Sequence, residues 1–188
     1  CVLVQPIPSG LTHRINEQEG LYTLYLRGSN NGSRVDDMRV ISAVSRCLNP
    51  YEEEGFGKMM EVAVSDDLEI IVSNTTEAGI VYDPACRLSD KPAASFPGKL
   101  TQVLYQRFRA GKKGIIMLAC ELIDNNGKEL LRCVNRYIDQ WGLEEDFRNY
   151  VNRECTFCGS LVDRIVPGRI RDPQEVAQLE EKHGYVDD

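Results

Sequence analysis

Histidine is scarce: the 188 residues contain only His13 and His183. His13 falls in a polar stretch and His183 beside Lys182 near an expected helix end, so neither supplies the base of a Ser-His-Asp triad, and hydrolase chemistry finds no support. Long apolar runs are absent too. The longest, Ile115-Ile116-Met117-Leu118-Ala119-Cys120, is strand-sized, which excludes a helical membrane span. A basic excess is missing: 22 Lys and Arg stand against 29 Asp and Glu, a net charge of −7. That balance argues against a nucleic-acid partner, because phosphate binding needs clustered cations. The best basic cluster, Arg107, Arg109, Lys112 and Lys113, reads as a helix C-terminus, where cations complement the dipole.

Glycine-rich phosphate loops are lacking as well. Gly55-Phe56-Gly57-Lys58-Met59-Met60 has no third glycine and follows Glu52-Glu53-Glu54, whose charges repel a pyrophosphate. Gly98-Lys99 leads into Leu100 where a P-loop needs Ser or Thr. Cys155-Thr156-Phe157-Cys158 has no second cysteine pair or nearby His, so no metal site is expected. Two small apolar residues beside a sheet are the plain reading of that pair, with zinc or a thiol redox couple as the alternatives. No basic n-region opens the chain, and Pro6 and Pro8 come early, so a signal peptide is not expected. Seven cysteines, an odd number spread widely, suggest a reducing compartment, with cytoplasm as the default.

What is present is an alternation of strand-like and helix-like segments. Cys1 to Gln5 reads as a short buried strand that is already in progress, without an initiator Met, so the chain is expected to be a piece of a longer protein. A polar loop with Ser9, Gly10, His13 and Asn16 follows. Leu21 to Leu26 and Met38 to Val44 are rich in β-formers and flank Gly28-Ser29-Asn30-Asn31-Gly32, which predicts an antiparallel hairpin with a long loop. Tyr51 to Met60 opens a short helix. Leu68 to Ser73 is a strand, Asp83 to Pro97 a loop, and Leu100, Val103, Leu104 and Phe108 share a helical face that Gly111 can end. Ile115 to Cys120 is a continuous apolar strand of the kind covered on both sides. Leu130, Val134, Ile138 and Trp141 repeat at helical spacing before Gly142, and Glu144 to Arg153 and Pro173 to His183 are further helices. Such alternation implies a parallel sheet. The class expected for residues 1–188 is a Rossmann-like, doubly wound, mostly parallel α/β domain with an inserted antiparallel hairpin.

Two strand ends carry concentrated polarity. Ser73-Asn74-Thr75-Thr76-Glu77-Ala78-Gly79 follows directly on an apolar strand, and Cys120-Glu121-Leu122-Ile123-Asp124-Asn125-Asn126-Gly127 repeats the arrangement. Ligands of open α/β sheets bind beyond the carboxyl ends of strands, where hydroxyls, an amide and a carboxylate can meet a ribose or a carboxamide. An N-cap and turn is the equally available alternative for the first segment, and a turn and cap for Asn125-Asn126-Gly127.

The run Thr156-Phe157-Cys158-Gly159-Ser160-Leu161-Val162-Asp163-Arg164-Ile165-Val166-Pro167 resembles the mannitol dehydrogenase family signature, approximately F-P-N-S-M-V-D-R-I-T-P. Ser73 to Gly79 is similar to the family's S-x-T-x-T-E-G-G strand end, with Ala78 for the first glycine. Cys120-Glu121 and Asn126-Gly127 resemble its C-D-N…N-G segment. Gln5-Pro6-Ile7, Glu19 to Thr23 and Phe157-Cys158 bring the chain nearest to the tagaturonate reductase branch.

The resemblance implies a zinc-independent, two-domain NAD-dependent dehydrogenase, acting on a sugar acid by hydride transfer between NADH and the ketone of D-tagaturonate. Residues 1–188 would be most of its NAD-binding domain, lacking the glycine-rich first strand–helix unit. The partner would be its own helical C-terminal domain, which carries the proton-transferring lysine, so the fragment alone is expected to be inactive. The cofactor-binding residues implied are Ser73, Asn74, Thr75, Thr76, Glu77, Cys120 and Glu121; Ser160, Asp163 and Arg164 are implied near the chemistry. The signature's Asn falls on Gly159, which offers no side chain for that role. Sister activities on fructuronate or mannitol are the alternatives, as is a dinucleotide-binding or oligomerisation module without turnover. A Rossmann-like methyltransferase fits less well, since Gln5-Pro6 lacks the acidic residue such a strand end needs. Gln5 to Ser9 does not discriminate NAD from NADP by charge; NAD is what the family implies.

Overall fold

The computed structural model describes residues 1–161 and 166–184. Two compact units emerge: one of Cys1–Gln5, Ser9–Leu48 and Arg164–Asp188, the other of Pro6–Pro8 and Asn49–Asp163.

In the first unit, β1 (Val2–Val4) pairs in parallel with β4 (Arg46–Leu48). Between them in sequence come α1 (Thr12–Glu17), β2 (Tyr22–Asn30) and β3 (Ser33–Ile41). The expected polar loop thus contains a helix. Asn16 on α1 explains it: its side chain donates to the Cys47 carbonyl at 3.0 Å and accepts the Cys47 N–H at 2.8 Å, completing the backbone pairing of β4 as a strand would. β4 itself was not expected, because three residues ending in Cys47-Leu48 give too short a pattern.

The hairpin is present, but its long loop is not. Tyr22 to Asn30 pairs with Ser33 to Ile41 in one unbroken register. The connection is the two residues Asn31 (φ 51°) and Gly32 (φ 80°), the left-handed pair whose twist suits adjoining strands. The strands therefore run through Gly28, Ser29 and Asn30. β1 also departs from expectation: Leu3 and Val4 are 38% and 40% exposed, and among the described residues only β4 pairs with it. The last helix of this unit, α6 (Pro173–His183), starts at Asp172, whose carboxylate accepts the Gln174 N–H, and stops at Gly184 (φ 74°).

The second unit carries the parallel sheet β5-β6-β7, built from Ile70–Ser73, Ile116–Ala119 and Thr156–Gly159. Its helices are α2 (Gly55–Ala63), α3 (Phe96–Arg109), α4 (Asn126–Trp141) and α5 (Glu145–Asn149), the last running into a π-helical turn at Tyr150–Glu154. α3 begins where Ser95 accepts the Gly98 N–H and Pro97 pre-sets φ; its last turn carries Arg107 and Arg109. α4 ends at Gly142 in the left-handed region, as its position after Trp141 predicts.

Register divides the side chains of this sheet between two faces. Met117 and Ala119 point inward, joining Leu104, Leu130, Val134, Phe147 and Val151 in one core. Ile70, Val72 and Ile116 share the other face and are 51%, 62% and 42% exposed. Within this unit α4 packs on β6 and β7, and among its described residues the face of Ile70, Val72 and Ile116 carries no such layer.

Polar clamps reinforce the core. Arg107, 4% exposed, donates to the carbonyls of Ala63, Ser65, Leu68 and Lys113 at 2.9–3.1 Å. Lys99 is buried near the N-terminus of α3, donates to the Ala94 carbonyl at 2.7 Å and lies 5.3 Å over the Tyr51 ring. Burial pulls its ammonium down from 10.5 to about 8.

Candidate functional site at the strand ends

The carboxyl ends of β5, β6 and β7 lie side by side. Ser73, Ala119 and Gly159 are register partners, so the segments that follow them emerge from one sheet edge. The two polar stretches singled out in the sequence are thereby brought together.

The residues after β5 split by direction. Ser73 is buried and Thr75 half-buried, whereas Asn74, Thr76 and Glu77 are exposed. The inward pair meets Glu121, which is only 1% exposed. Ser73 Oγ donates to Glu121 Oε2 at 3.0 Å; the Thr75 N–H and Oγ1 both donate to Oε1, at 3.1 and 2.8 Å. A buried carboxyl group needs such partners, since an unsatisfied one costs several kcal/mol on the order given by transfer data. Glu121 therefore faces protein donors, while Asn74, Thr76 and Glu77 present an amide, a hydroxyl and a carboxylate outward. Cys120 is half-buried, and its N–H donates to the Ser73 carbonyl at 2.8 Å.

Thr76 has φ +75°. For a β-branched residue this left-handed backbone costs about 1–2 kcal/mol and persists only where neighbours over-determine it. The neighbours are visible. The Gly79 N–H donates to the Thr76 carbonyl at 3.0 Å, and a Cβ at Gly79 would stand 1.9 Å from Thr75 Oγ1. Only glycine closes this loop.

Asn126, expected to belong to a turn and cap, is a buried staple. Its amide nitrogen lies 3.1, 2.9 and 2.8 Å from the carbonyls of Ala119, Glu121 and Ser160, and its oxygen accepts from the N–H groups of Gly127 and Ser160. It thus fastens the end of β7 to the end of β6. Asn125 takes the cap position with φ 54° but makes no side-chain cap bond. Gly127 is required because a Cβ there would lie 2.6 Å from the Cys158 carbonyl oxygen. The sequence signal was an Asn-Gly pair just beyond a strand; its link to β7 is a long-range contact that local pattern does not carry.

Ser160 donates through Oγ to the Ala119 carbonyl at 2.7 Å. Asp163 and Arg164, the other residues implied near the chemistry, lie outside the described residues. Cys155 and Cys158 fall on opposite faces of the β7 strand by its alternation; Cys155 is in the core, where burial pushes its thiol upward. All seven cysteines are free thiols. Among the described residues no group of three or more His, Cys, Asp or Glu could hold a metal ion, and no helix is long and apolar enough to cross a membrane.

A parallel sheet with helical crossovers, an added hairpin and polar strand ends define an α/β domain of the Rossmann type. The chain belongs to the mannitol dehydrogenase family: the family's "Mannitol dehydrogenase Rossmann domain" matches residues 2–183. It is similar to the altronate oxidoreductases of Phocaeicola vulgatus (43% identical over 190 residues) and Bacillus subtilis (44% over 190). Each likeness covers 99% of this chain and 39% of the relative, so the chain spans about two fifths of their length. Among solved structures, Pseudomonas fluorescens mannitol 2-dehydrogenase, in a ternary complex with NAD and D-mannitol, shares the fold with a TM-score of 0.73 at 19% identity, over 92% of this chain and 36% of that one. A substrate-free D-sorbitol dehydrogenase gives 0.76 at 20% identity, over 100% and 40%. At such identities the likeness speaks for the fold.

Proposed function

We propose that this chain is the NAD-binding part of an altronate oxidoreductase, which interconverts D-altronate and D-tagaturonate. The observation that carries this is the likeness to altronate oxidoreductases along essentially the whole chain. When bound, NADH supplies the hydride for the ketone carbon. The chain's own residues fit such a cofactor by the chemistry of the donor set at the β5 end. Asn74, Thr76 and Glu77 offer a donor amide, a hydroxyl and an acceptor carboxylate, which match ribose hydroxyls and a carboxamide. Ser73, Thr75, Cys120 and Glu121 form the wall behind them, and Ser160 is assigned to the reacting end.

The proton that must reach the new alkoxide is assigned to a lysine of the C-terminal domain, following the family resemblance. The complete domain is further proposed to include a glycine-rich strand–helix unit. The outer edge of β5, unpaired among the described residues, and the exposed apolar face of Ile70, Val72 and Ile116 support such an addition, because apolar sheet surface of this kind is ordinarily covered. The free thiols suit the cytoplasm.

The test uses the complete enzyme. NADH oxidation is measured with tagaturonate, fructuronate and fructose in parallel, and tagaturonate is expected to give the highest kcat/KM. Preference for fructuronate or fructose moves the assignment to a sister activity, and no turnover with any of the three removes it. Residues 1–188 alone are expected to show no turnover.

A further inference from the structure

Resting on the cofactor reading of the strand ends, we propose that Glu121 is a positioning residue. Through Ser73 and Thr75 it sets the backbone path on which Asn74, Thr76 and Glu77 meet the dinucleotide.

Direct contact with the cofactor is a poor role for this group. Glu121 is 1% exposed, and both carboxyl oxygens already accept bonds from protein donors. Simple attachment of β5 to β6 does not require it either. The strand ends are joined by the backbone bond from Cys120 N–H to the Ser73 carbonyl at 2.8 Å, and the register pairs run without a break to Ser73 and Ala119. What Glu121 adds lies past the end of the sheet. It takes both the N–H and the hydroxyl of Thr75, one residue before the left-handed Thr76. The Thr75 hydroxyl so held is also the atom against which Gly79 closes the loop. One carboxyl group thus governs where the loop leaves the strand and where it returns. A neighbour that over-determines an unfavourable backbone conformation in this way is the usual sign of a pre-organised binding loop.

Position and charge separate cleanly at this residue. A glutamine at 121 retains the geometry: its oxygen accepts both Thr75 bonds and its amide donates to Ser73 Oγ, a hydroxyl that accepts as readily as it donates. An alanine removes all three bonds. In the complete enzyme, Glu121→Ala is expected to raise the NADH Kd and KM by about tenfold or more, with the loss falling on KM and not on kcat. Glu121→Gln is expected to stay within about threefold of wild type, since its hydrogen bonds persist.

If Glu121→Gln loses as much affinity as Glu121→Ala, the charge is what matters and the proposal fails. If Glu121→Ala binds NADH like wild type, the residue is merely structural and the proposal fails again. Should Glu121→Ala not fold, Thr75→Val decides, because it removes one hydroxyl at nearly constant volume. A KM for NADH raised about threefold with an unchanged thermal midpoint supports positioning, and an unchanged KM overturns it. Asn74→Ala and Glu77→Ala separate this failure from that of the cofactor reading. If neither weakens NADH, the crevice is misplaced; if they do and Glu121→Ala does not, only the present inference falls.

Discussion

In the unit holding the hairpin, the buried hydrophobic residues are Val44, Cys47 and Leu48; all the others on the described chain belong to the unit holding β5-β6-β7. Buried polar groups divide the same way, with Gln5 in the first and Ser73, Lys99, Thr101, Gln102, Arg107, Glu121 and Asn126 in the second. The hairpin instead relies on a long backbone ladder, a left-handed two-residue turn and ion pairs open to water. The contrast teaches where precision is built. The strand ends proposed to hold a cofactor stand where buried donors and acceptors fix every emerging segment, since a buried polar group tolerates little displacement. Among the described residues of the hairpin no side chain is buried in this way.

The sharpest way to break the contrast is at Arg107. Its guanidinium satisfies four carbonyls from the end of α2, the lead into β5 and the segment before β6. Arg107→Met keeps much of the stem's packing but leaves those acceptors buried and unpaired. Charged hydrogen bonds of this kind contribute about 1.5–3 kcal/mol each and are not additive, so a loss of about 3 kcal/mol or more is expected in urea unfolding. A loss below about 1 kcal/mol, the scale of surface pairs, would show that water replaces the side chain and that the second unit is less tightly specified than its burial indicates.

Lys99 gives a smaller effect with a characteristic pH dependence. Its folded value is about 8 against an ordinary 10.5. Below pH 8 both folded and unfolded chains carry the proton, and the cost of burying the charge is fully felt. Between pH 8 and 10.5 the folded chain has released it while the unfolded chain retains it, so stability rises with pH. Lys99→Met abolishes that rise. The stability difference between wild type and variant is expected to move in favour of wild type by about 2 kcal/mol from pH 7 to pH 10. A difference independent of pH would mean that the Tyr51 face and the Ala94 carbonyl keep the ammonium charged.

Much of this was legible in local pattern, and the exceptions have a common cause. Ile115 to Cys120, the Leu100 face and the Gly142 stop are signals within a few residues of chain, and each produced its element. The polarity at Ser73 to Gly79 and at Cys120 to Gly127 located the sheet edge for the same reason. Which of those side chains turn inward was not legible, because it depends on pairs such as Thr75 with Glu121 and Asn126 with Ser160, 46 and 34 residues apart. α1 leaves little local signal because Asn16 is held by Cys47, 31 residues away, and Gly28 and Ser29 resemble turn residues until a partner strand is present.

The smallest effect is expected in the hairpin. Arg27 on β2 pairs with Asp36 on β3 at 3.2 Å and with Glu175 on α6, and its guanidinium lies 5.3 Å over the Tyr25 ring. The arrangement looks rich, yet the side chains of Arg27, Asp36 and Glu175 are 39%, 44% and 37% exposed. Water and salt compete for each charge, and exposed pairs contribute about 0.2–1 kcal/mol. Arg27→Ala is therefore expected to lower stability by less than about 1 kcal/mol, with most of that loss disappearing at about 1 M salt, where the screening length falls to about 3 Å. The nine register pairs from Tyr22–Ile41 to Asn30–Ser33 should survive the substitution, which amide exchange along both strands can establish. If Arg27→Ala instead matches Arg107→Met, and salt does not diminish its effect, the hairpin depends on its side chains as strictly as the sheet depends on its clamps.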